Sequence, residues 1–313
     1  MADDRRPWLL NAAFSKFSKV GKARPAYGKN TVVPQFTAVP PTRVSLEDIR
    51  VRGVSTAILY ERVLDCPPLE RDAVKFLNDD EVRFITRHLD EEGYQHSLDG
   101  SFLFDTLTHY RGKEGGFSEG RFTDYQEGVQ RDIYNAAGGT IDHLTVDGLD
   151  IQSSHVYGGG DQVAVRTLAN AYCSCSSVGE FDEDRARVLR TKGNEDLRFY
   201  VTYDVSRLKA VLKAILPDTD QLRSQAVIGR RVEYGEKDRR RWYISKHHEV
   251  EIKSPLGHFL ALAFTKSERF SHEQEFRILL IDPTSVGRLI DTAGRVILND
   301  KRFSECIVSH NKF

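Results

Sequence analysis

The chain has 313 residues, 40% hydrophobic and 29% charged, the balance of an ordinary soluble globular protein rather than a disordered one. Its formal net charge of −1 supplies no overall basic field of the kind that draws proteins to nucleic acid. No apolar run approaches the roughly 20 residues that span a bilayer, and the charged start Met1-Ala-Asp-Asp-Arg-Arg-Pro lacks a secretory core. The four cysteines, Cys66, Cys173, Cys175 and Cys306, are too few for a disulfide framework, so a reducing cytoplasm is the expected compartment, with no membrane partner.

Residues 1–44 are basic, punctuated by Pro7, Pro25, Pro34, Pro40 and Pro41, and weakly periodic. They read as an extended or loosely ordered arm, with Phe14, Phe17 and Val20 available to dock on a protein partner. Residues 45–313 read as a single α+β domain, from a helix start at Ser45-Leu-Glu-Asp. Ala57–Tyr60 predicts a strand. Val74, Leu77, Val82, Ile85 and Leu89 recur near helical spacing and predict one or two helices over 69–90. A strand is expected at Phe102–Phe104, followed by Thr106–Arg111, and a Gly-rich charged loop over 112–128. Hairpin segments follow at Val129–Asn135, Ile141–Val146 and Leu149–Val156, then a turn at Gly158–Asp161.

Val163–Ser177 reads as one long strand ending in Tyr172-Cys-Ser-Cys-Ser-Ser177. Alternation puts Cys173 and Cys175 on one face as buried thiols, and no second Cys/His pair stands at zinc-finger spacing. A charged helix over 182–191, a strand at Phe199–Tyr203 and a helix from an Asp204 or Ser206 cap to Leu216 come next. Val227–Tyr234 and Trp242–Lys253 read as a hairpin, and Leu256–Phe264 as a short apolar helix. The apolar strand Phe276–Ile281, a helix near Ser285–Asp291 and a strand at Cys306–Ser309 close the chain. Many strands beside separate helices imply an α+β fold with a mostly antiparallel central sheet and flanking helices.

The segment before the apolar strand carries the strongest chemical signal. Period two puts Glu273, Glu275 and Arg277 on one strand face and Phe276, Ile278 and Leu280 on the other. Two acids and a guanidinium together are costly to bury unless paired or used, which marks them as candidate site residues. His109 and Tyr110, after an earlier strand, could stack on an adenine or nicotinamide ring.

Lys266, Phe270, Glu273, Glu275, Phe276 and Arg277 form a pattern that resembles the bacterial DUF2971 family. The segment 102–111, with Phe122, Asp124, Glu127 and Gly128 after it, and Tyr172-Cys-Ser-Cys-Ser with Phe199-Tyr-Val-Thr-Tyr-Asp204 resemble that family's other segments, over about residues 55–282. More distantly, the same pieces resemble ADP-ribosyltransferases of the Arg–Ser–Glu class. That resemblance implies a related fold and NAD as substrate, with transfer to a protein or nucleic-acid acceptor or to water. It further implies that Glu275 holds the ribose hydroxyl and stabilises an oxocarbenium-like state, while Glu273 orients or deprotonates the acceptor. Arg62, on an early strand, would hold the phosphates and Ser174 and Ser176 would shape the pocket. A separate reading takes Asp238, Glu251 and Lys253 as the acids and lysine of a metal-dependent nuclease.

Overall fold

A computed structural model describes residues 58–63, 66, 68–70, 74, 77–111, 129–136, 143–146, 149–152, 162–192, 194–235, 240–244, 247–250, 255–287 and 294–313. The chain divides after Pro40 into units 1–40 and 41–313, and every described residue belongs to the second. The expected arm over 1–44, the helix start at Ser45, the loop over 112–128, the turn at Gly158–Asp161 and the nuclease candidates Asp238, Glu251 and Lys253 lie outside the described residues.

The first strands are β1 (Ile58–Val63), β2 (Phe84–Leu89), β3 (Ser101–Thr106), β4 (Val129–Ala136), β5 (His143–Val146) and β6 (Leu149–Gln152). Next come β7 (Gln162–Leu168), β8 (Tyr172–Val178), β9 (Phe199–Asp204), β10 (Ala226–Arg231), β11 (Glu233–Gly235) and β12 (Arg240–Ile244). The last are β13 (His247–Val250), β14 (Thr265–Ser267), β15 (Glu275–Ile281), β16 (Val296–Asn299) and β17 (Ile307–Lys312). Helices are α1 (Glu91–Leu98), α2 (Leu107–Arg111), α3 (Glu183–Lys192), α4 (Val205–Ile215), α5 (Pro255–Phe264) and α6 (Arg302–Glu305).

The fold is α+β. Its centre is a mostly antiparallel eight-stranded sheet in the order β10-β15-β8-β2-β9-β17, with β3 beside β8 and β16 beside β3. A four-stranded sheet runs β1-β7-β4-β12, and smaller sheets join β13-β5-β6 and β11-β14.

One face of the large sheet is apolar because alternate residues of its strands are. Phe276, Ile278 and Leu280 of β15 meet Ile85 of β2, Phe102 and Phe104 of β3 and Tyr203 of β9 in the main core. Helix α4 closes it: Val205, Leu208, Leu212 and Ile215 recur at helical spacing and are buried. The Asp204 carboxylate caps that helix by accepting the Arg207 N–H at 3.0 Å, and Pro217 follows its end.

Four expectations are corrected. Phe84–Leu89 is a strand, not helix: its Phe-Ile-Thr run sits between β8 and β9, where cross-strand packing outweighs helical spacing. The long strand over 163–177 is two strands in two sheets. At the break the Asn170 carboxamide oxygen accepts the N–H groups of Thr108 (3.0 Å) and Ala171 (3.1 Å) in place of a ladder. The expected hairpin over 227–253 does not form, since β10 pairs with β15 and β12 lies parallel to β4. Ser285–Gly287 is turn rather than helix, and residues 288–293 lie outside the described set.

One topological detail positions the site. On one side β8 pairs with β15 along its length from Tyr172 to Ser177. On the other, β3 takes Tyr172 and Cys173 while β2 takes Ser177 and Val178. The two neighbours part between these ends, leaving a fork alongside Ser174, Cys175 and Ser176.

Candidate active site

The acid pair is assembled by a reversal of the chain. After β14 a 3-10 turn over Glu268–Glu273 leads back into β15. Gln274 makes the join in a left-handed conformation, φ 44°, which is uncommon for a residue with a side chain. Its carbonyl accepts the Val178 N–H at 2.7 Å and its side-chain oxygen accepts Arg185 Nη2 at 2.7 Å, and these bonds hold the kink in place. Glu273 therefore lies on the turn, off the strand. It meets Glu275 through Lys266 instead of through the pleat.

Lys266 Nζ donates to Glu273 Oε2 at 2.6 Å and to Glu275 Oε2 at 3.0 Å. Arg277 Nε donates to Glu275 Oε1 at 2.6 Å, Nη2 to Glu275 Oε2 at 3.3 Å, and Nη1 to the Ala263 carbonyl. The Glu275 N–H donates to Tyr234 Oη at 2.7 Å. Lys266 Nζ also sits 4.6 Å from the centre of the Phe270 ring, a cation–π contact. All four charged side chains are buried; Arg277, the largest fully buried side chain among the described residues, is 1% exposed.

Burial opposes ionisation of both acids, but their partners differ. Burial pushes Glu273 up to about 7; Lys266 pulls it down and the Glu275 charge adds to the rise. Burial would also raise Glu275, but Arg277 and Lys266 outweigh it and hold that carboxyl far below the usual range. The cluster thus contains one fixed carboxylate and one that exchanges a proton near neutrality.

Cross-strand register decides what shares this face. Glu275 lies opposite Ser177 and Arg277 opposite Cys175, and Leu279 opposite Cys173. Ser177, Thr86 of β2 and Thr202 of β9 continue the row, with the two threonine hydroxyls 2.9 Å apart. Cys175 lies within electrostatic reach of Glu275, and its sulfur lies 3.6 Å from that of Cys173. That contact and burial hold the Cys175 thiol well above its ordinary value. Tyr110 completes this side: burial, with the Cys175 and Cys173 thiols nearby, raises its phenol, and Arg87 and Asp105 are also within electrostatic reach.

The structure therefore brings together Glu273, Glu275 and Arg277, while Tyr110 lies within electrostatic reach of the Cys173 and Cys175 thiols. It does not bring in Ser174 and Ser176, which register with Ile278 and Phe276 and so turn to the opposite, apolar face. A one-residue offset on a strand reverses the face, and Ser177 is the serine on the acid side. Arg62 pairs with Thr167 in the four-stranded sheet, whereas the glutamates belong to the eight-stranded one. His109 is exposed and meets Asp105 at 3.4 Å. Lys266, Cys175 and Tyr234 were missed as site residues. Lys266 opens the Glu-x-Glu segment, but only the 3-10 reversal carries it back onto the acids.

Comparison with family models, with curated proteins and with solved structures found no match in any of the three. Among the described residues no group of three or more His, Cys, Asp or Glu side chains is placed to hold a metal ion, and no helix is long and apolar enough to cross a membrane.

Proposed function

We propose that Glu273 and Glu275 are the catalytic pair of an NAD-consuming enzyme, an ADP-ribosyltransferase or NAD glycohydrolase of the kind used in bacterial toxicity or defence. The reading is supported by the divergence of the two acids: one buried carboxylate kept ionised, the other poised to exchange a proton near pH 7. Cleavage of the nicotinamide–ribose bond develops positive charge on the ribose, and nicotinamide leaves with the bonding pair. Glu275, oriented by Arg277 and Lys266, stabilises that charge through a preorganised anion. Glu273 accepts the proton of the attacking acceptor, a protein or nucleic-acid group or water.

The balance of charges favours a second reading. Two acids against two bases, every one hydrogen-bonded, is also how a structural ion cluster is built. Glu275→Gln separates the two. With NAD as substrate and released nicotinamide measured by chromatography, the enzymatic reading expects turnover to fall on the order of 100-fold or more while circular dichroism shows an intact fold. Absence of nicotinamide release by the unaltered chain, above the protein-free rate and across pH 6–9, would overturn it.

A further inference from the structure

The fork between β2 and β3 holds donors that the acid cluster does not use. Hydrogen-bond direction alternates along a strand. The Val178 N–H points toward the β15 side, to the Gln274 carbonyl, and the Gly179 N–H toward β2, to the Phe84 carbonyl. Counting back in twos from Gly179, the Cys175 N–H and C=O face the fork, where neither β2 nor β3 offers a registered partner. Buried backbone groups are nearly always paired, so this position calls for one. Ser174, in the same gap, is 1% exposed and its hydroxyl has no hydrogen-bond partner.

Arg87 stands on the β2 wall. It is half-buried, with its guanidinium 5.0 Å from the centre of the Phe102 ring of β3. Among the described residues no carboxylate lies within ion-pair distance of it. A partly desolvated cation in that state is costly unless an anion joins it. Asp105 of β3 meets His109 at 3.4 Å and Arg295 at 3.3 Å. Tyr110 lies within electrostatic reach of Arg87 and of the Cys175 and Cys173 thiols.

We infer that this fork binds a phosphoryl group, held by the Arg87 guanidinium and the Cys175 backbone N–H. A guanidinium presents two parallel N–H groups that match two phosphoryl oxygens, and the backbone N–H takes a third direction. The site lies beside the acid cluster, because Cys175 registers opposite Arg277, whose guanidinium holds Glu275. The inference stands apart from the NAD reading: any phosphoryl compound tests it, and no bond need be cleaved.

The test uses the full chain with inorganic phosphate and with ADP as probes, against sodium chloride at matched ionic strength. Thermal unfolding and hydrogen exchange of the segment 172–178 are the readouts. The expected result is a phosphoryl-dependent rise in midpoint and slower exchange in that segment. Arg87→Met keeps an alkyl chain over Phe102 and should weaken binding roughly tenfold or more, as loss of a charged hydrogen bond does. Arg87→Lys should retain part of it. A response to ADP alone identifies a nucleotide as the source, and a response to both shows that the phosphoryl group suffices. No response to either probe, or one that Arg87→Met leaves unchanged in a folded protein, overturns the inference.

Discussion

Replacing Lys266 by methionine is expected to destabilise the protein by about 3–5 kcal/mol at pH 8, the usual result of removing one partner from a buried ion cluster. Methionine matches the length of the lysine stem, so cavity formation contributes little. The damage is electrostatic. Glu273 loses the cation at 2.6 Å, and Glu275 keeps Arg277 but gains an unscreened acidic neighbour. Adding Glu273→Gln to Lys266→Met should restore most of the loss, because the remaining Glu275–Arg277 pair is neutral as a unit. Urea unfolding of the two single variants and the double variant measures the coupling directly. Strict additivity of the two substitutions would show that the lysine does not neutralise this acid pair.

Glu273 makes the cluster pH-sensitive, with a definite sign. Its folded-state pKa is raised from 4.5 to about 7, so the folded protein holds this proton more tightly than the unfolded chain. The stabilisation is fully present below about pH 4.5 and is lost as pH rises through about 7. The whole change is on the order of 3 kcal/mol, taking 1.36 kcal/mol per unit. His88 acts in the opposite sense. Burial, with Arg185 adding to it, lowers its pKa to about 4, so its contribution is complete above about pH 6.5 and lost as pH falls toward 4. The two windows overlap, and the pH profile of the unaltered protein mixes them. Subtracting the profile of Glu273→Gln cancels the His88 part. The difference in unfolding free energy between the unaltered protein and Glu273→Gln should decline as pH goes from 5 to 8. A difference that stays level across that range would mean Glu273 is ionised throughout.

The large sheet was legible to the extent that residue pattern carries pairing. The Phe276–Ile281 run is apolar on both sides of a polar start, and it became the fully buried strand β15. The helix capped by Asp204 and stopped near Pro217 formed where its cap, spacing and breaker predict it. The segments that misled were those whose local signal pointed one way and whose neighbours pointed another. Val82, Ile85 and Leu89 have helical spacing, yet Ile85 is buried in a sheet core between β8 and β9. The run from Val163 to Ser177 carries β-favouring residues on either side of Ala169-Asn170-Ala171, and the Asn170 carboxamide splits it.

By itself the sequence determined the local materials: an α+β chain, an apolar strand introduced by two glutamates, and an arginine two residues after the second. These follow from side-chain chemistry and period, which are properties of neighbours along the chain. Tertiary structure alone decided which charges meet and on which face. Lys266 reaches both acids because a 3-10 turn and one left-handed residue fold the chain back. Ser174 and Ser176 turn away from Glu275 because the register of β8 on β15 places Cys175 and Ser177 on that side. The proton affinities of Glu273 and Glu275 diverge because one guanidinium lies against only the second. Coulomb energy and desolvation depend on distance in space, and spacing along the chain does not encode it.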